Sequence, residues 1–113
     1  MKIGTTKIII QTFAESLIIP IASIVHIVAE GSYSRVYCDG GVQYLVCENL
    51  GAFETGLSEG GFNRCHDSHI INLVKVIKLL KHGGLMAKLT SGEQIPISRR
   101  MSKAFQCAIS AAT

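Results

Sequence analysis

Six consecutive positions carry most of the side chains in this sequence that could do chemistry: Arg64, Cys65, His66, Asp67, Ser68 and His69. Residues of these types can ligate a metal, run thiol chemistry or hold an anion. A second concentration, Ser98-Arg99-Arg100, is cationic. Cys65, His66 and His69 invite a zinc reading, but a structural zinc site takes four ligands, usually in two paired clusters. Cys38 and Cys47 supply no such pair, and none of the four cysteines (Cys38, Cys47, Cys65, Cys107) stands in a Cys-x-x-Cys. No metal and no other cofactor is therefore expected. Cys65 beside His66 mimics a catalytic pair, yet adjacent residues of an extended chain point to opposite sides. Cys65 does lie in an electropositive stretch that would lower its pKa and open it to oxidation. No second cysteine is obviously placed to resolve a disulfide with it. The glycines spell neither Gly-x-Gly-x-x-Gly nor a phosphate-binding loop followed by Lys-Ser/Thr. With no carboxylate pair in a credible site, the chain does not read as an enzyme.

Anion binding remains, and charge supports it. Residues 1–59 hold three basic and six acidic side chains, a net −3; residues 60–113 hold eight basic and two acidic, a net +6. A basic half beside a mildly acidic one points to an oriented anionic partner, or else to a solvated lysine-rich face. Lys75, Lys78, Lys81 and Lys88 add diffuse attraction to phosphate, or serve to discourage strand aggregation at an edge.

Most of the elements that must position these groups read as strands. Lys7–Gln11, Ser16–Ile19 and Ile24–Glu30 are aliphatic runs, the second closed by Pro20 and the third by Gly31-Ser32. Segments 34–38 and 42–46 flank Asp39-Gly40-Gly41, a hairpin signal because Asp-Gly supplies the positive φ of a tight turn. At Asn49 the period changes: Leu50, Phe53 and Leu57 share one helical face, with Asn49 as N-cap. Gly51 and Gly56 each weaken that helix by about 1 kcal/mol relative to Ala, so packing must hold it. Residues 62–72 read as polar and irregular. Val74 to Leu80 suits a strand more than a helix, and segments 85–90 and 94–98 pair across Ser91-Gly92. Pro96 puts the last strand at an edge or at its end. Met101, Ala104, Phe105 and Ala108 form a C-terminal helical stripe. The expected fold is mostly β, an elongated arrangement of short antiparallel strands and hairpins with two short helices.

The chain has 113 residues, 48% apolar and 17% charged. That bounds it to one folded domain over 1–113, with a core of about 5–107, and excludes a disordered chain. The most apolar N-terminal stretch contains Pro20 and His26 and falls short of the roughly 20 residues of a membrane span. No signal peptide is visible, so a cytoplasmic location with reduced cysteines is expected.

The run Phe62-Asn63-Arg64-Cys65-His66-Asp67-Ser68-His69-Ile70-Ile71-Asn72-Leu73 resembles the signature of the LytTR family, Phe-x-Arg-x-His-x-Ser-aromatic or His-aliphatic-aliphatic-Asn. Ser91 to Arg100 resembles the family's second signature, a turn followed by Ile-Pro-Val-Ser-Arg-Arg. Ile27 to Tyr37, with Glu30-Gly31-Ser32-Tyr33-Ser34, resembles the strand, loop and strand that open its first binding loop. The resemblance implies a bacterial DNA-binding domain, the output module of a two-component response regulator. It implies contact with double-stranded DNA through loops and strand ends in the major groove, on direct repeats. It also implies a receiver domain as a partner in a longer chain, and no membrane.

Site residues follow by position. Arg99 matches the family arginine that reaches a base, and a guanidinium can donate two parallel bonds to guanine O6 and N7. Ser98 reads as an N-cap that puts Arg99 and Arg100 in the first helical turn, where cations oppose the helix dipole. Arg64 and His66 match strong signature positions; His66 donates to a phosphate or bonds within its own loop. Ser34 matches a DNA-contacting position but is shorter than the usual donor, and Arg35 lies beside it. His69 stands where an aromatic or His is common and is expected to be partly buried. Ser68 and Asn72 read as structural, bonding nearby backbone. Asp67 departs from the pattern, since the family usually has a polar or basic residue there. A carboxylate near phosphates is repulsive, though it can accept from cytosine N4. Asp67 and the short Ser34 leave a second reading open, an interaction module on the same fold that has lost DNA binding. Arg99, Arg100 and the basic second half oppose it.

Overall fold

Aliphatic runs of four to seven residues are too short to bury themselves as helices, and glycine turns between them return the chain antiparallel. The computed structural model, which describes residues 1–112, shows this repeated. Strands β1 (Lys2–Ile3), β2 (Lys7–Gln11) and β3 (Ser16–Pro20) form one antiparallel sheet in the order β1-β2-β3. A central five-stranded sheet, ordered β6-β5-β4-β8-β7, contains β4 (Ile24–Glu30), β5 (Tyr33–Cys38), β6 (Gln43–Val46), β7 (Phe62–His66) and β8 (His69–Asn72). A third sheet, ordered β11-β10-β9, contains β9 (Val76–Lys81), β10 (Leu85–Leu89) and β11 (Gln94–Pro96). Helix α1 (Leu50–Gly56) follows β6, and α2 (Ser102–Ala112) closes the described chain. The whole measures 40 × 27 × 25 Å. The elongated, mostly β architecture with two helices is the one anticipated.

The central sheet separates two apolar cores. Ile24, Ile27, Val36, Phe62 and Ile70 face Ile8, Ile10 and Ile19 of the first sheet and Leu50, Phe53 and Leu57 around α1. Val25, Cys65 and Ile71 face the other way, against Ala87, Leu89 and Ile95 of the third sheet and Phe105 of α2. Ile24 through Ile27 are all buried for this reason. The neighbours Ile24 and Val25 enter different cores, so β4 reads as an apolar run interrupted only by His26 before its terminal Glu30.

Local signals hold where side chain and backbone agree. Asn49 Oδ1 accepts from Ala52 N at 2.9 Å and caps α1. Gly40 and Gly41 take φ of +76° and +78° between β5 and β6. Pro96 ends β11 at a sheet edge. Residues 62–72, by contrast, are not irregular. They form the β7–β8 hairpin, turning at Asp67-Ser68. A bulge between Arg64 and His66 breaks the alternation and sends Cys65 into the second core, which hid the strand. Helix α2 begins at Ser102, after a turn through Arg99 and Arg100, and runs on through the small-residue tail to Ala112. Its inner stripe is Phe105, Ala108 and Ile109, whereas Ala104 is exposed. Ordered structure thus passes both ends of the anticipated 5–107 core. Thr113 lies outside the described residues. Among the described residues no helix is long and apolar enough to cross a membrane.

Candidate nucleic-acid interface

Three sequence blocks, far apart in the chain, meet at one end of the central sheet. Ala29 N, near the end of β4, donates to Ser68 O in the β7–β8 turn at 2.9 Å. Ser98 N, just past β11, donates to Cys65 O of β7, also at 2.9 Å. The β4–β5 loop, the Asp67-Ser68 turn and the Arg99-Arg100 turn are thereby held side by side. Strand register adds a row across the sheet: Leu45, Arg35, Val28, His69 and His66 stand opposite one another in sequence of strands.

The Asp67-Ser68 turn is held by its neighbours' side chains. His66 Nδ1 accepts from Ser68 N at 3.1 Å, the internal role weighed for it. Arg64 donates through Nη2 to Asp67 O at 2.6 Å and through Nη1 to Glu54 Oε1 of α1 at 2.9 Å. Arg64 is three-quarters buried in these contacts, and its Nε is buried without a partner. Asn72 is buried and donates through Nδ2 to Ile24 O at 2.8 Å, a structural role.

Asp67 itself points outward, its side chain 78% exposed, and accepts from Arg100 Nη2 at 3.0 Å. Arg35 donates to Glu30 Oε2 at 2.7 Å and to Gln43 Oε1 at 3.1 Å. Of the arginine side chains, only that of Arg99 has neither hydrogen bond nor ion pair among the described residues, and it is exposed; its backbone carbonyl accepts from Ser102 N at 3.3 Å. Ser98 accepts from Met101 N at Oγ, 3.2 Å, so it caps the turn ahead of α2 and the arginine pair precedes the helix. No acid stands in the first turn of α2. Arg99, Arg100 and Lys103 around it oppose the helix dipole, at about 0.3–1 kcal/mol each, a cost that an anionic partner reverses. A shallow hollow of about 580 Å³ on the outer face of α2 extends this surface from Arg99 past Lys103 to Gln106.

Ser34 lies elsewhere than anticipated. It is fully buried and donates from its hydroxyl to Glu48 O at 2.8 Å, tying β5 to the segment after β6. It offers no exposed atom to a partner. Cys65 also differs from the reading of its neighbourhood. It is fully buried, and burial pushes its thiol up to about 12, away from the reactive thiolate. His69 is half-buried, its Nδ1 without a partner, and burial together with nearby His66 holds its pKa below the usual value. Burial, with nearby His69, lowers His26 to about 4; its ring stacks on Tyr37 at 4.4 Å. Among the described residues no group of three or more His, Cys, Asp or Glu is placed to hold a metal ion.

The pairs Arg100–Asp67 and Arg64–Glu54 were not anticipated. Their members stand 33 and 10 positions apart, and no local pattern announces them.

This mostly β architecture, with its signature turns gathered at one end, is that of a known domain class. The model of the LytTr DNA-binding domain matches residues 14–110. The chain belongs to the LytTR DNA-binding domain family. Among solved structures, it is similar to the LytTr DNA-binding domain of a putative methyl-accepting/DNA response regulator from Bacillus cereus. That likeness has a TM-score of 0.79 at 20% identity, over 94% of this chain and 98% of the other, and concerns the fold. Comparison with curated proteins found no match.

Proposed function

We propose that this chain is a sequence-specific DNA-binding module that regulates transcription as the output domain of a response regulator, working in the cytoplasm and without catalysis. One observation carries the proposal: the Arg99 guanidinium, exposed and without a hydrogen-bond or ion-pair partner among the described residues, stands on a turn fastened to the signature hairpin through Ser98 N and Cys65 O. An unpaired planar guanidinium on a rigid turn is suited to bidentate contact with guanine. Arg100, His66 and His69 flank it, Lys103 continues the positive surface, and Arg35 and Arg64 serve the frame that holds the turns. Residues 1–113 act as one domain, two copies reading direct repeats in the major groove and bending the duplex. A receiver domain is the partner in a longer chain.

The test is selection from a random duplex pool at two salt concentrations. An enriched, repeated motif with affinity that falls steeply as salt rises is the expected result, because phosphate contacts release counterions. Salt-sensitive binding without enrichment would leave a basic surface with no readout.

A second reading has its own observation. Arg35, Arg64 and Arg100 are all engaged by internal acceptors, and Asp67 presents a carboxylate at the same end. An interaction module on this fold would retain a partner protein while Arg99→Ala left DNA binding unchanged.

A further inference from the structure

We propose that the Asp67–Arg100 pair is a built-in selectivity element, which lowers affinity for DNA in general and favours sites that place a base amino group against Asp67. The inference rests on the DNA-binding proposal and deepens it.

The pair joins the two signature turns from residues 33 positions apart. Both side chains are mostly exposed, 72% for Arg100 and 78% for Asp67, so a duplex docking on this end meets them directly. The turn beneath Asp67 is fixed. Its carbonyl accepts from Arg64, Arg64 is anchored on Glu54, and the Ser68 amide is held by His66. Asp67 is therefore not free to swing its backbone away when a polyanion approaches.

Two consequences follow from charge and hydrogen-bond chemistry. First, Arg100 already has an anionic partner, and a phosphate must displace it to gain that cation. The carboxylate thus released faces the phosphate backbone and is repelled. Backbone contact, common to all sequences, is weakened. Second, the major-groove edges of cytosine and adenine carry amino donors, N4 and N6, whereas guanine and thymine present the acceptors O6 and O4. A carboxylate accepts from the former and is repelled by the latter. At one position Asp67 therefore separates amino from keto bases, while Arg100 stays paired through its Nη2 and keeps its other N–H groups for a neighbouring acceptor. An asparagine there would not discriminate in this way, because its amide both donates and accepts.

The test uses the whole chain as wild type, D67N, R100A and the double variant. Binding to a random-sequence duplex is titrated across salt, and wild type and D67N are compared in selection from a random pool. D67N is expected to bind random duplex roughly 3- to 10-fold more tightly at low salt, with a salt slope steeper by about one phosphate contact. In the R100A background the steeper slope should disappear, because no released cation remains, and only the relief of carboxylate repulsion should be left in the affinity. The selected motif should show cytosine or adenine at one position for wild type and lose that preference for D67N. An equal steepening of the salt slope without Arg100, an unchanged base preference in D67N, or no change in random-duplex affinity overturns the proposal. Should wild type bind cognate DNA in an Arg99-dependent way while D67N behaves identically, this inference alone falls. Absence of DNA binding by every form removes the DNA-binding proposal and this one together.

Discussion

Ser98 N donates to Cys65 O at 2.9 Å, so the arginine turn is suspended from the strand that carries the signature hairpin. The Arg99 side chain projects from that turn with no hydrogen bond or ion pair among the described residues, and Arg64 lies within the frame that holds the signature hairpin. The two arginines should therefore separate cleanly in experiment. Arg99→Ala should weaken cognate DNA binding by about 1–3 kcal/mol and leave the melting temperature unchanged. Arg64→Ala removes bonds to Glu54 and to the Asp67 carbonyl and should destabilise the fold by about 1–3 kcal/mol. Thermal unfolding and DNA titration of both variants decide it. A large fall in melting temperature for Arg99→Ala would contradict its unpaired state.

Asn72 predicts a loss of stability without loss of surface. Its amide supplies a bond to Ile24 O inside the protein, where the central sheet turns towards the third. Asn72→Ala strands that carbonyl and opens a small void, costing about 1–3 kcal/mol. Urea unfolding should show a lower midpoint with an unchanged slope, since the area exposed on unfolding hardly differs.

Acid should destabilise the domain through His26. Its folded pKa, about 4, lies below the unfolded value of 6.5. Between those values the unfolded chain binds the proton more readily, so stability rises with pH and is lost as pH falls from about 6.5 towards 4. His69 is lowered in the same direction and adds to the effect. Across the window His26 accounts for up to about 3 kcal/mol. Melting temperatures at pH 5 and pH 7.5 should differ clearly in the wild type, and His26→Leu should narrow the gap. An unchanged gap would place the acid sensitivity elsewhere.

Part of this was legible in the chain because the signal was local. Asn49 with Leu50, Phe53 and Leu57 marks cap and buried face in nine residues, and the structure uses them so. Ser34 was legible too, on closer reading of the period. It shares a strand face with Val36 and Cys38, both buried, and alternation alone places its hydroxyl inside. Residues 62–72 resisted, because the bulge at Arg64 and His66 breaks the period of two just where polar side chains serve the turn. The pair Lys2–Ile3 is too short for any pattern; only its ladder with Ile8 and Ile9 makes it a strand. Arg100 and Asp67 meet only through the topology, once Ser98, just past β11, is bonded to Cys65 of β7, so no spacing rule reaches the pair.

Thiol reactivity gives the last prediction, and it runs against the neighbourhood of Cys65 in sequence. Flanked by Arg64 and His66, Cys65 looks like a cysteine whose thiolate is favoured. In the fold it is enclosed between Ile71 and the third sheet, with its Sγ 3.9 Å from His69 O and 4.0 Å from Pro96 O. Carbonyl oxygens do not stabilise a thiolate, and the apolar surroundings raise its pKa to about 12. Cys38 is also buried and raised, whereas Cys47 and Cys107 are exposed. Alkylation of the native protein should therefore modify Cys47 and Cys107 within minutes and reach Cys38 and Cys65 only as the domain unfolds. Mass spectrometry of a time course, with and without urea, reads this directly. Rapid labelling of Cys65 in the folded state would mean that β7 opens away from the second core far more easily than its packing allows.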